Sequence, residues 1–485
     1  MNKNRRLFFL AFLGVAAIFL LIYHGALDNY FFQDDFYFLR LSRAESFLDF
    51  LKFFSPWHQQ GFPAYRPLGT QVYFFFGQLF PAFASPYIMR GILFLFHFFN
   101  FFLIFKILKK LLKKDWLALI LAALYLNAPL HFLSLYYLAA FQQVLAAFFQ
   151  LLGFYLYLKN KKKAVYFCYL GALLAKETAI FFPALLLIFK TLVYFDKNKS
   201  FKNIKSEIGG EKRYWLGFVF LAFAYALLRL LSFSQPPGEE YRLSLTPKTF
   251  FSSLRWYLIW LLGAPETIIN YAQGGINFSV AKFTNDAGIS AYFFGGLFLA
   301  EFIVLCLILI NLGRKKKGRR QVALFLLLGL AAMIISLASV IFMPYHRFAH
   351  YLDLALFLFL VIFGLLVKRE KGLTLTLAFV FTFLFLANAF FCVRIDEKLH
   401  WAPARPRIAA KYQEFFKDEG VCDKRQGIYF IDAKSNSAKE VAIALSFADG
   451  PRYFCQNYDL PVFYQGLVEP NEKEKQQLLI ISSGN

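Results

Sequence analysis

Two adjacent carboxylates and a later arginine give this chain its most reactive-looking stretch. Gln33-Asp34-Asp35-Phe36-Tyr37-Phe38 stands at one end and Tyr65-Arg66-Pro67-Leu68 at the other. A carboxylate can take a proton as a general base, and a cation can stabilise a departing phosphate. Asp-Asp pairs are also common as solvated loop residues, so the surrounding sequence has to decide. It adds His131, the neighbours Lys176 and Glu177, Arg229, and Tyr345-His346-Arg347, each at the end of an apolar run. Taken singly, such residues read as side chains snorkelling from helix ends. If all the ends lie on one side of a membrane, they form a cationic, carboxylate-bearing pocket suited to a lipid phosphate.

The elements that must position them are apolar. Hydrophobic residues make up 59% of the 485, aromatics 20%, and Phe alone occurs 66 times. A span of about 30 Å of hydrocarbon needs roughly twenty such residues. About eleven runs are candidates, near residues 7–23, 86–108, 115–127, 138–158, 163–176, 178–195, 214–231, 289–312, 321–343, 348–367 and 373–393. The net charge of +23 does not mark a nucleic-acid binder. From Val393 onward thirteen Lys and Arg balance thirteen Asp and Glu, so the whole excess lies in the apolar part. There it gathers in short clusters, at Lys106 to Lys114, Lys159 to Lys163, 197–213, Arg314 to Arg320 and Lys368-Arg369. That is the positive-inside bias.

Charge alternation then predicts a cytoplasmic N-terminus and eleven transmembrane helices. It also predicts a long extracytoplasmic first loop at about 24–86 and a tail, 393–485, outside. The basic start and apolar run 7–23 also fit a signal peptide, but no clear small-residue cleavage site follows, so an uncleaved anchor is expected. In loop one Ser46-x-x-Asp49 reads as a capping box ahead of an interfacial helix, and Pro67 suits the first position of a second. Residues 251–262 are apolar but short, and read as re-entrant or interfacial. His97 and Asn100, one turn apart inside an apolar run, predict interhelical hydrogen bonds. The tail reads as a small α/β unit, with helices near 409–417 and 438–447 and a strand at 427–432. Cys422 and Cys455 are the two cysteines in polar sequence and could pair if the tail is extracytoplasmic. No cluster has metal spacing and no internal repeat is visible.

In combination these motifs resemble membrane glycosyltransferases of the GT-C fold. The residues that carry the resemblance are Asp34-Asp35 after the first span, Tyr65-Arg66-Pro67-Leu68, His97-x-x-Asn100, Asn127-Ala128-Pro129-Leu130-His131, Lys176-Glu177-Thr178 and His346-Arg347. The nearest pattern is the protein O-mannosyltransferase branch that includes the transmembrane and tetratricopeptide-repeat proteins, although no such repeats follow the last span here. The resemblance covers about residues 7–367, within a transferase domain of about 1–392.

It implies an enzyme that moves a sugar from a polyprenyl-phosphate donor to an acceptor hydroxyl. Transfer would occur with inversion at the extracytoplasmic face of the cell (plasma) membrane, with no metal or other cofactor. By the same resemblance Asp34 would be the general base, with Asp35 beside it or sharing the role, and Arg66 would contact the donor phosphate. His131, Lys176, Glu177, Arg229, His346 and Arg347 would complete the substrate site. The acceptor, whether protein, lipid or glycan, is left open. The alternative is a flippase for lipid-linked sugars or another membrane transporter. Transporters, however, place ionisable residues near the midplane and show repeated halves.

Overall fold

The computed structural model describes residues 3–58, 64–81, 84–197, 209–232, 238–273, 277–314, 316–418, 421–424, 427–432 and 437–483. Most of the basic segment 197–213 therefore lies outside the described residues. Among the described residues nine helices are long and apolar enough to cross a membrane. They are Arg6–Asp28, Ser85–Leu112, Leu138–Leu158, Glu177–Asp196, Lys212–Leu231, Ile289–Gly313, Arg319–Ser336, Ala349–Val367 and Leu373–Leu399. The chain is an α-helical polytopic membrane protein. Its surface agrees: Phe9, Leu21, Phe220, Phe223 and Leu299 are all exposed, which lipid favours and water does not. Ala349–Val367 is enclosed on nearly every side and forms the centre of the bundle.

Two of the eleven expected spans are shorter than a bilayer. Asp115–Leu126 has 12 residues and Lys162–Ala175 has 14. At 1.5 Å per residue they rise only about 18 and 21 Å. The first continues into Pro129–Tyr136 after a bend of 44°. The break falls at Ala128-Pro129, where proline disfavours helix in the residue before it and lacks a donor. His97 Nε2 lies 3.1 Å from the Leu126 carbonyl, and Asn100 donates to the Val144 carbonyl at 3.1 Å. These are the interhelical bonds the sequence predicts. A buried polar knot went unforeseen: Asn388 donates to Glu301 at 3.1 Å and to the Gly263 carbonyl at 3.0 Å.

The segment between the first two long helices carries short helical elements. Ser46 and Asp49 form the full reciprocal capping box at the start of Phe47–Lys52. Phe47, Leu48 and nearby Trp57 are left exposed. Pro67 opens a wide π-helical turn, Pro67–Val72, which runs into Tyr73–Gln78. The apolar segment expected at 251–262 is the helix Pro247–Leu261, 15 residues long and capped by Thr246.

The C-terminal unit begins with the helix Trp401–Asp418, longer than the 409–417 expected. Its three strands are parallel, in the order Val462–Tyr464, Ile428–Ile431, Leu479–Ser482. The helix expected at 438–447 stops at Ala444 because Ser446 and Phe447 take left-handed backbone. Cys422 and Cys455 form a disulfide that joins the 3-10 turn Val421–Lys424 to the helix Asp449–Cys455.

Candidate functional site

The short helix Asp34–Leu41 begins the site. Its first turn bears both carboxylates, where the helix N-terminus favours negative charge. Consecutive residues on a helix point about 100° apart, and the two side chains separate completely. Asp34 faces a cavity of about 620 Å³. Asp35 is fully buried behind it and accepts from the Phe32 N–H at 3.1 Å and the Ala139 N–H at 2.8 Å. Asp35 ties loop one to the segment beneath it and does not line the cavity.

Around Asp34 the cavity gathers much of the expected set: Arg66, Lys176, Glu177, Arg229 and His346 all line it. Lys176 and Glu177 share one turn, and Arg66, Arg229 and His346 come from three other segments. Arg66 is the residue before the Pro67 turn, and it forks onto Glu177. Its Nε donates at 2.6 Å, and its Nη2 makes a second, shorter bond. Lys176 is buried in the turn between Lys162–Ala175 and Glu177–Asp196. Its ammonium lies 4.5 Å from the centre of the Tyr351 ring. Arg229 reaches the cavity from Lys212–Leu231 and leaves Nη1 without a hydrogen-bond partner. Among the described residues neither Lys176 nor Arg229 makes an ion pair, whereas Arg66 is held by Glu177; burial, with Arg66 nearby, pushes the Lys176 ammonium down to about 7.

His346 lies in the turn before Ala349–Val367 and bonds Tyr351 through Nε2 at 2.8 Å. Burial, with Lys176 and Arg66 nearby, pushes its imidazole down to about 4. At neutral pH it is therefore an uncharged ring that orients Tyr351, not one of the site's cations. Two expected members stand apart. His131 is buried beneath the site, 3.0 Å from the Asp353 carboxylate and against His97. Arg347 does not line the cavity, and its guanidinium faces Tyr257 and Arg255.

Several lining residues carried no signal in the sequence. Tyr137 accepts from the Asp34 N–H at 3.1 Å and donates to the Asp34 carboxylate. Glu240 and Tyr241 come from a polar loop, and the Tyr241 ring packs tilted against His346 with centres 4.7 Å apart. Burial raises the Asp34 carboxyl above the usual aspartate range, and Glu240 adds to the rise. The Tyr137 hydrogen bond, Arg405 and Arg66 oppose it.

A raised carboxyl in a cavity, with cations beside it, can accept a proton and hold an anion. Among the described residues no group of three or more His, Cys, Asp or Glu is placed to hold a metal ion. No protein-family model matches the chain, and neither a curated protein nor a solved structure matches it.

Proposed function

We propose that the protein is a glycosyltransferase that takes its sugar from a polyprenyl-phosphate donor and passes it to an acceptor hydroxyl. The observation that carries the reading is the shared cavity, lined by Asp34 together with Lys176, Arg229 and the Arg66–Glu177 pair. A volume of about 620 Å³ suits a sugar phosphate with part of an acceptor.

In the step proposed, the acceptor oxygen attacks the anomeric carbon while Asp34 takes the hydroxyl proton. The bond from that carbon to the phosphate oxygen breaks, and polyprenyl phosphate leaves with the electron pair. A single displacement from the opposite face inverts the centre. Lys176 and Arg229 hold the negative charge that develops on the phosphate, and Arg66 adds positive field. A phosphate is a fair leaving group, so orientation, one base and fixed positive charge are sufficient chemistry.

The same reading takes eleven crossings, a cytoplasmic N-terminus, and both the cavity and the tail at the extracytoplasmic face of the cell membrane. The short runs Asp115–Leu126 and Lys162–Ala175 count as crossings that end early, at the turns that feed the cavity. The Cys422–Cys455 disulfide supports an oxidising location for the tail.

The test is reconstitution in proteoliposomes with a polyprenyl-phosphate sugar and hydroxyl acceptors. Sugar transfer with stoichiometric release of polyprenyl phosphate is expected. Movement of the intact lipid-linked sugar across the bilayer, with no cleavage, would overturn the proposal in favour of a flippase.

A further inference from the structure

The backbone just before Asp34 is strained. Gln33 has φ 51 and ψ −128, a region that residues with a Cβ rarely occupy. Such a conformation persists only where its surroundings hold it. Its carbonyl accepts locally from the Phe36 N–H at 3.1 Å, and two further polar restraints come from the C-terminal unit, more than 370 residues later in the chain. The Gln33 N–H donates to the Ala444 carbonyl at 2.7 Å. Arg405 Nη1 donates to Gln33 Oε1 at 2.7 Å.

Arg405 is itself held in place. Its guanidinium lies 5.0 Å from the centre of the Trp401 ring, and Nε is 3.6 Å from Glu440. It does not line the cavity. The Asp34–Leu41 helix is gripped by the same unit near both its start and its far end. Arg40 Nε meets Asp449 at 2.6 Å, and Phe36 packs edge-on to Phe454 with ring centres 5.3 Å apart.

We propose that Arg405 is a positioning residue for Asp34, and that through it and Ala444 the C-terminal unit completes the active site. It holds the strained turn that aims the Asp34 carboxylate into the cavity. This rests on the reading of Asp34 as the base. A transferase domain that stopped at its last membrane helix would carry the base on an unsupported turn. The tail is then part of the catalytic apparatus, not an appended module.

Two measurements test the proposal, one independent of activity. In full-length protein, amide hydrogen exchange is compared between wild type and Arg405→Gln. Exchange at Gln33 and along Asp34–Leu41 should quicken at least about tenfold while the membrane helices stay protected. Gln33→Gly is the second variant. Glycine accepts the left-handed backbone without strain, so this variant folds, yet it removes the side chain that Arg405 holds.

The second measurement is steady-state transfer as a function of pH. The groups facing Asp34 are Tyr137, Glu240, Arg405, Arg66, Asp35, Tyr37 and Tyr241. Arg405→Gln removes one positive charge from this set. The acid limb should therefore move to higher pH, with kcat down about ten- to a hundredfold and donor KM unchanged. Arg405→Lys should keep the limb in place while kcat still falls, because charge survives and the planar fork does not.

Unchanged exchange in both Arg405→Gln and Gln33→Gly would overturn the proposal. So would accelerated exchange with wild-type kcat and an unmoved acid limb. A fully active Asp34→Asn would instead remove the base reading while leaving the exchange result intact, so the two failures are distinguishable.

Discussion

Asp34 and Asp35 are adjacent in the chain and have separate tasks, because the helix that starts at Asp34 turns them to different sides. Asp34 reaches the cavity, and Asp35 accepts two backbone N–H groups in the interior. Asp35→Asn keeps one acceptor oxygen and adds two donors with no place to go. It should cost about 1–3 kcal/mol of stability, read as a lower unfolding temperature, while the surviving folded fraction transfers sugar normally. Arg66 has a different sensitivity from the one its sequence motif implies. It is forked onto Glu177, so Arg66→Lys loses two parallel bonds and leaves the Glu177 carboxylate poorly matched. Lower thermal stability, a higher donor KM and slower transfer should appear together, and unaltered stability would show that the fork is dispensable. The raised Asp34 carboxyl has a sign that can be checked. A base works only when ionised, so transfer should rise with pH through an acid limb placed above the ordinary aspartate value of about 3.9. Tyr137→Phe removes a hydrogen bond that favours the ionised form, and should move that limb to still higher pH.

At the scale of elements, much was legible because local chemistry and periodicity agreed. The Ser46–Asp49 capping box, the Pro67 turn and the His97 and Asn100 bonds between helices all follow from short sequence rules. Arg66, Lys176, Glu177, Arg229 and His346 were legible as cavity residues because charge alternation puts their helix ends on one side. His131 and Arg347 satisfied the same rule, yet the turns that carry them aim their side chains elsewhere. No periodicity encodes that direction. Tyr137, Glu240 and Tyr241 were missed because an aromatic at a helix start and a polar loop look ordinary. The helices Asp115–Leu126 and Lys162–Ala175 follow the apolar runs read at 115–127 and 163–176, and at 12 and 14 residues both fall short of a bilayer.

At the scale of the whole molecule, the end of the chain returns to support its beginning. The C-terminal unit bonds Gln33 and Arg40 at the two ends of one short helix. That contact could not be read from sequence, since nothing local links Gln33 to Arg405 and Ala444. The Cys422–Cys455 disulfide closes a segment with a sequence separation of 33. By loop-closure entropy such a link contributes about 3–4 kcal/mol to the unit. Alkylation of denatured, unreduced protein should modify the three free cysteines, Cys168, Cys306 and Cys392, and reduction should expose all five. Five reactive thiols before reduction would contradict both the bond and the oxidising location proposed for the tail.

The most direct test of the central claim is the transfer rate of Asp34→Asn in reconstituted membranes, with donor binding measured on the same preparation. Asparagine keeps the shape of the side chain but cannot accept the acceptor's proton. General-base catalysis is worth about a hundred- to ten-thousand-fold. The rate should fall by that order while the protein inserts, unfolds at the wild-type temperature and binds the polyprenyl-phosphate sugar at least as tightly as before. Wild-type transfer by Asp34→Asn would contradict the account.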